Sequence, residues 1–184
     1  MERRIVVPTA GTQKRMWNQE RLEPSEPGFE RLRAAVQFST DPFDLVGGQR
    51  DAYSESEAVV YSRWFDGDPY SSRVGLIEAR ACCTARDMWH YARRIVANSS
   101  ELKGPPTLAI VSYPAHRWRV KYTLRWAFIL LDGRWPKLED VESSERIRYS
   151  KWMETVLIAV TIVDPFWIWL GLPLVWLANR RTNE

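Results

Sequence analysis

Apolar and polar positions recur along this chain with two different periods, and each period predicts its own element. From Ser72 to Ala97 the residues Val74, Ile77, Ala81, Ala85, Met88, Ala92 and Ile95 fall at steps of three and four. That spacing is one face of an α-helix. From Arg117 to Leu130 the even positions are Trp118, Val120, Tyr122, Leu124, Trp126, Phe128 and Leu130, and the odd positions begin Arg117, Arg119, Lys121, Thr123, Arg125. A period of two predicts a strand with one apolar and one basic face. Asp132-Gly133 then carries a hairpin signal. Trp135 to Leu138 is expected to return as an edge strand, where Pro136 is tolerated. Thr107 to Tyr113 is expected as an earlier strand.

Residues 1–25 show no period and contain Pro8, Gly11 and Pro24, so an extended N-terminal arm is expected there. Ser25 can cap a helix over Glu26 to Gln37, with Pro27 in its first turn and Phe29, Leu32, Ala35 and Val36 on one face. Asp41-Pro42 and Gly47-Gly48 mark a loop. Ser54 and Glu57 fit a capping box opening a short helix to about Phe65, and Asp66-Gly67-Asp68-Pro69 breaks it. Together these elements predict an α+β fold over residues 26–142: short helices and one long amphipathic helix, then a small antiparallel β-meander.

The segment 143–184 has a different character. Ser143 or Ser144 can cap a final helix, and from Thr155 to Ala178 Asp164 is the only ionisable residue. A helix of that length covers roughly 36 Å, enough for a ~30 Å hydrocarbon core. Trp152 and Trp176 suit aromatic belts at the two interfaces, Trp167 and Trp169 add further aromatic contact, and Arg180 and Arg181 can snorkel to the far headgroups. The expectation is a single C-terminal transmembrane helix bent near Pro165, with Asp164 facing a partner helix, a headgroup or water. Arg134, Lys137, Arg146, Arg148 and Lys151 precede the span and only two arginines follow it, which places the N-terminal part inside.

Composition sharpens this picture in two respects. The chain has 184 residues with ten tryptophans, and arginine outnumbers lysine 21 to 5. Both residues suit boundaries between wet and apolar phases. A net charge of +3 is too small to argue for nucleic acid. The aromatics and bases of Arg117 to Leu130 also fall on opposite faces of the expected strand, whereas a base-stacking platform needs them together. The basic face Arg117, Arg119, Lys121 and Arg125 is therefore expected to meet anionic lipids or an acidic partner.

Catalytic chemistry is thin at this level. Cys82 and Cys83 are adjacent and are the only cysteines, which excludes a disulfide framework and points to a reducing compartment. No Gly-rich phosphate loop, GxSxG, HExxH or CxxC occurs. Cys83 and His90 stand two helical turns apart, and His116 is read as a loop residue, so no metal, cofactor or catalytic set is expected.

The functional expectation is a non-catalytic accessory subunit, single-pass, stabilising a large membrane complex together with its other subunits and the lipid bilayer. An extended arm with a single span is similar in architecture to supernumerary subunits of the mitochondrial respiratory chain, which implies the inner membrane with the N-terminal part on the matrix side. An ATP synthase subunit, or a membrane-tethered enzyme or cofactor carrier using Cys82, Cys83 or His90, are the alternatives.

Overall fold

A computed structural model describes residues 3–15, 18–48, 55–80, 84–98, 105–144 and 151–165. Five strands form one parallel sheet: β1 (Arg3–Pro8), β4 (Phe43–Val46), β5 (Val74–Glu78), β6 (Thr107–Val111) and β7 (Lys137–Val141), in the order β5-β4-β1-β6-β7. A two-stranded antiparallel hairpin, β2 (Thr12–Arg15) and β3 (Asn18–Pro24), follows β1. Helices α1 (Glu26–Phe38), α2 (Glu57–Trp64), α3 (Thr84–Asn98) and α4 (Pro114–Asp132) connect the sheet strands, and α5 (Lys151–Val163) follows β7.

The expected α+β fold with an antiparallel meander is thus corrected to an α/β fold built on a parallel sheet. The physical reason lies in burial. A parallel strand covered on both faces reads as a short continuous apolar run, not as an alternation. Ile5-Val6-Val7 in β1 and Leu108-Ala109-Ile110-Val111 in β6 are such runs, and all of these residues are inaccessible to solvent. Part of the expected N-terminal arm is therefore the central strand.

Alternate residues of each strand face opposite layers. Ile5, Val7, Phe43, Leu45, Ala109 and Val111 pack against Leu32 and Ala35 of α1 and Ala58 and Tyr61 of α2. Val6, Val46, Leu108 and Ile110 pack against Met88, Tyr91, Ala92 and Ile95 of α3 and Val120, Leu124, Ala127 and Phe128 of α4. Charged groups also enter this second layer, among them Asp44 and Glu78, both fully buried. Asp44, fully buried on β4, accepts from Arg4 Nε (2.7 Å) and Nη2 (2.6 Å), from the Leu76 amide (2.7 Å) and from Tyr91 Oη (2.7 Å). A buried carboxylate needs such a full set of donors.

The expected long helix over Ser72–Ala97 is two elements. Val74 and Ile77 belong to β5 and pack on the α1–α2 side of the sheet, whereas Met88, Ala92 and Ile95 belong to α3 on the other side. The apolar stripe that looked continuous is divided by the sheet itself.

The expected strand over Arg117–Leu130 is helix α4. Its buried positions are His116, Arg117, Arg119, Val120, Thr123, Leu124, Ala127 and Phe128, a helical spacing. Val120, Leu124 and Phe128 satisfy a period of two and a period near four alike, which is what misleads. Thr123 and Ala127, buried at odd positions, and the exposed Trp118 and Trp126 decide for the helix. Pro114 opens α4, and Gly133 (φ 69°) closes it in the left-handed conformation, so Asp132-Gly133 is a helix stop and not a hairpin. β7 consequently runs parallel to β6.

The start of α1 is as expected: the Ser25 hydroxyl accepts from the Gly28 amide, with Pro27 in the first turn. Residues after Ser54 form α2 as expected, although Ser56 holds the N-cap position and Ser54 lies outside the described residues.

The C-terminal transmembrane helix is also corrected. Among the described residues no helix is long and apolar enough to cross a membrane. Helix α5 has 13 residues, about 20 Å at 1.5 Å per residue, against the ~30 Å of a hydrocarbon core. It ends just before Asp164-Pro165. That end is docked on the protein's own α4: Thr123 Oγ1 donates to the Pro165 carbonyl (3.2 Å), and Tyr122 Oη to that of Ile162 (3.5 Å). Asp164 is buried. Integral placement in the mitochondrial inner membrane, and the tail-anchored layout inferred from the span, lose their basis with it. Trp167, Trp169, Trp176, Arg180 and Arg181 lie outside the described residues.

Candidate functional site at the carboxyl edge of the sheet

In an open parallel sheet, ligands bind outside the carboxyl ends of the strands where the direction of winding reverses. Here β1 leads through α1 to β4 on one side, and β6 occupies the other side, so the reversal falls between β1 and β6. The segments that leave the sheet there are Thr9–Gly11 after β1, Gly47-Gly48 after β4 and Ser112–Tyr113 after β6. Helices α2, α3 and α4 all begin on this edge.

His116, in the first turn of α4, is the centre of the arrangement. It is buried, with Nδ1 2.9 Å from Ser112 Oγ and Nε2 3.3 Å from Thr84 Oγ1, the first residue of α3. Its ring stacks on Tyr113 at 5.7 Å between centroids. Burial, and then the positive charges of Arg31 and Arg119, push its pKa well below the ordinary 6.5, so the imidazole is neutral at pH 7. A neutral imidazole has one donor and one acceptor nitrogen, and a hydroxyl on each side complements both. Arg31 crosses from α1, donating from Nη1 to the carbonyls of Pro8 (2.7 Å) and Thr9 (3.1 Å). Arg119 lies on α4 one turn beyond His116, and both arginines are buried.

On the β1–β4 side, carboxylates hold the backbone. Glu57 Oε2 accepts from the Gly11 amide (3.0 Å), and Asp87 Oδ1 from that of Gly48 (3.1 Å). Tyr61 Oη accepts from the Ala10 amide and donates to the Gly11 carbonyl, both at 3.0 Å. Burial raises the Tyr61 pKa to about 12. Asp87 is raised well above the usual carboxylate value, first by burial, then by the negative charges of Glu57 and Glu78. Gly47 has no room for a side chain, since a Cβ there would fall onto Thr9. The loops after β1 and β4 are thus held close together by α2 and α3.

Of the residues singled out in the sequence, the basic set on α4 is divided. Arg119 joins the site. Arg117 bridges strand ends, donating to the carbonyls of Ser112 (3.3 Å) and Val141 (3.0 Å) and lying 3.3 Å from Asp140. Lys121 pairs with the same Asp140 at 2.8 Å, and Arg125 is exposed. His90 is partly buried on α3. Trp152 is exposed on α5, and Asp164 and Pro165 sit at the α5–α4 contact. Cys82 and Cys83 lie outside the described residues. No group of three metal-ligating side chains occurs among the described residues.

Sequence reasoning missed Ser112, Thr84, Arg31 and Asp87 as partners of one site. The available signal was a repeated pattern: a short apolar run, then small residues, as in Ile5–Gly11, Phe43–Gly48 and Leu108–Ser112, with a helix as the next element after the second and third and a hairpin before the helix after the first. That pattern marks βα units, and their loops converge on one edge.

Fold and site together define an α/β protein with a polar site at the winding reversal. Comparison with family models, with curated proteins and with solved structures finds no match.

Proposed function

We propose that this chain is an enzyme acting on a small anionic substrate at the carboxyl edge of the sheet, with His116 accepting and returning a proton. The observation that carries this reading is the imidazole held between Ser112 Oγ and Thr84 Oγ1 at the β1–β6 reversal. A base oriented by one hydroxyl and facing another is the recurring layout of proton-transfer sites. The pKa of His116 keeps it in the accepting form at neutral pH, and Arg31 and Arg119 favour a negatively charged ligand.

This differs from the non-catalytic expectation because Thr84 reaches the Ser112–His116 junction from 32 residues away in the chain, and no local motif joins them. The test is thermal melting of the full chain with millimolar phosphate monoesters, nucleotides and carboxylates, followed by product analysis for any that bind. At least one compound is expected to raise the melting temperature, and its turnover should fall on the order of 10²-fold or more in His116→Asn. The reading is overturned if none binds, or if the variant turns over a bound compound as fast as the wild type.

A role as a subunit of a larger assembly is the second reading. The observation favouring it is the outer face of α4, where Trp118 and Trp126 are exposed on either side of Tyr122 and Trp118 stacks on Tyr122 at 5.2 Å. Exposed aromatic clusters mark interfaces. Co-migration of the chain with a larger complex on a native gel tests it.

A further inference from the structure

We propose that Thr84 is the covalent nucleophile of this site and takes a phosphoryl group from a phosphate monoester. The inference rests on the enzymatic reading above. Three observations support it.

The first is geometry. Thr84 Oγ1 lies 3.3 Å from His116 Nε2, and catalytic hydrogen bonds of this kind are often long without substrate. The opposite nitrogen is held at 2.9 Å by Ser112 Oγ, so the base is oriented by a third group. Nucleophile, base and orienter form the general arrangement for activating a hydroxyl.

The second is access. Ser112 is the other hydroxyl on the ring, but it has no solvent exposure at all and no incoming group can reach it. Thr84 is partly exposed. The neighbouring carboxylates are engaged as backbone acceptors, Glu57 on Gly11 and Asp87 on Gly48. These assignments leave Thr84 as the attacking group and Ser112 as a positioning residue.

The third is charge. In phosphoryl transfer, negative charge is spread over three equatorial oxygens, and catalysis is mainly positioning and electrostatic stabilisation. Two buried guanidinium groups lie beside the ring: Arg31, whose Nη1 donates to the Pro8 and Thr9 carbonyls and whose guanidinium stands 5.9 Å over the Tyr113 ring that stacks on His116, and Arg119, one turn beyond His116 on α4. That suits a dianionic phosphoryl group better than a neutral acyl group.

In the first step the Thr84 Oγ1–P bond forms as the P–O bond to the ester oxygen breaks. The hydroxyl proton passes to His116 Nε2, while the departing oxygen, in line on the far side of phosphorus, takes a proton from solvent and leaves as an alcohol. In the second step water attacks phosphorus from that far side and loses a proton to solvent. The Thr84 O–P bond breaks, the proton held on His116 Nε2 returns to Thr84 Oγ1, and inorganic phosphate leaves. No oxidant, reductant or further reactant is needed.

The test mixes the full chain with p-nitrophenyl phosphate, quenches with acid between milliseconds and seconds, and reads intact mass and peptide map. The wild type is expected to release nitrophenol and to carry an added mass of about 80 Da, one phosphoryl group, on the peptide containing Thr84. Thr84→Ser should carry the adduct at the same position. Thr84→Val should lose the adduct and at least tenfold in turnover, while inorganic phosphate still raises its melting temperature. Ser112→Ala should keep the adduct but shift the pH profile of its formation.

Turnover without any adduct, with Thr84→Val within about threefold of wild type, overturns the nucleophile and leaves His116 acting directly on water. An adduct on another residue overturns it as well. A wild type that neither binds phosphate nor releases nitrophenol overturns the phosphoryl assignment, and the ligand panel above then decides the enzymatic reading separately.

Discussion

The hydroxyl of Ser112 lies 2.9 Å from Nδ1 of His116, four residues further along the chain. Ser112 ends the β6 run and His116 is in the first turn of α4, so this contact spans the point where strand becomes helix. Arg117, the next residue, donates to the Ser112 carbonyl. The ring orientation is therefore set from within one βα junction, and α3 and α1 bring Thr84 and Arg31 to it.

Acid should weaken the fold through His116. Its folded pKa is depressed below the ordinary 6.5, so the unfolded chain takes up the proton first. Stability is full above pH 6.5 and is lost as pH falls from there toward the folded value. Urea unfolding at pH 7 and pH 5 should show a larger drop for wild type than for His116→Gln. Equal drops would mean that the buried imidazole is not the titrating group.

Asp87 has the opposite sign of linkage. Its folded pKa is raised above the ordinary 3.8, so the fold favours the protonated form, and stability falls as pH rises through the folded value. Asp87→Asn keeps an oxygen acceptor for the Gly48 amide and removes the charge. The variant should gain on wild type between pH 4 and pH 7 in denaturant midpoint. A constant difference across that range would show that the charge is not the cause.

Tyr61→Phe tests the clamp on the loop after β1. The change removes the buried hydroxyl shared by the Ala10 amide and the Gly11 carbonyl, while the carbonyl keeps the Ser25 amide at 3.0 Å. A cost of about 1–3 kcal/mol is expected from the lost buried hydrogen bonds. Hydrogen exchange at Ala10 should rise in parallel. A stability change with unaltered exchange there would place the role of Tyr61 elsewhere.

Leu124 and Trp126 separate helix from strand. On a strand both would lie on the same face; on α4 Leu124 is fully buried and Trp126 is 41% exposed. Leu124→Ala should cost roughly 2–5 kcal/mol, and Trp126→Ala clearly less. Comparable losses at the two positions would contradict the helical assignment.

Short-range features were legible without coordinates. The α1 start with its Ser25 cap and Pro27, the strand at Thr107–Val111 and the apolar stripe of α3 from Ala85 to Ile95 depend on neighbours within about one turn or one strand. Their signals are written in consecutive residues. The arginine-rich alternation of α4 is ambiguous because every fourth apolar position fits both periods.

Other features depend on contacts far apart in the chain. Whether Ile5-Val6-Val7 is an arm or a central strand is settled by pairing with Phe43–Val46 and Thr107–Ile110. Whether Asp164-Pro165 lies in a bilayer span or closes a helix end is settled by Thr123. The site is the extreme case, since Arg31, Thr84, Ser112 and His116 come from three helices and one strand end. By itself the sequence determined local conformation, because hydrogen bonds and apolar periodicity within one element are local. Only the tertiary structure decided the sheet order, and with it which strand ends meet, because parallel strands pair through crossovers that bring distant segments together.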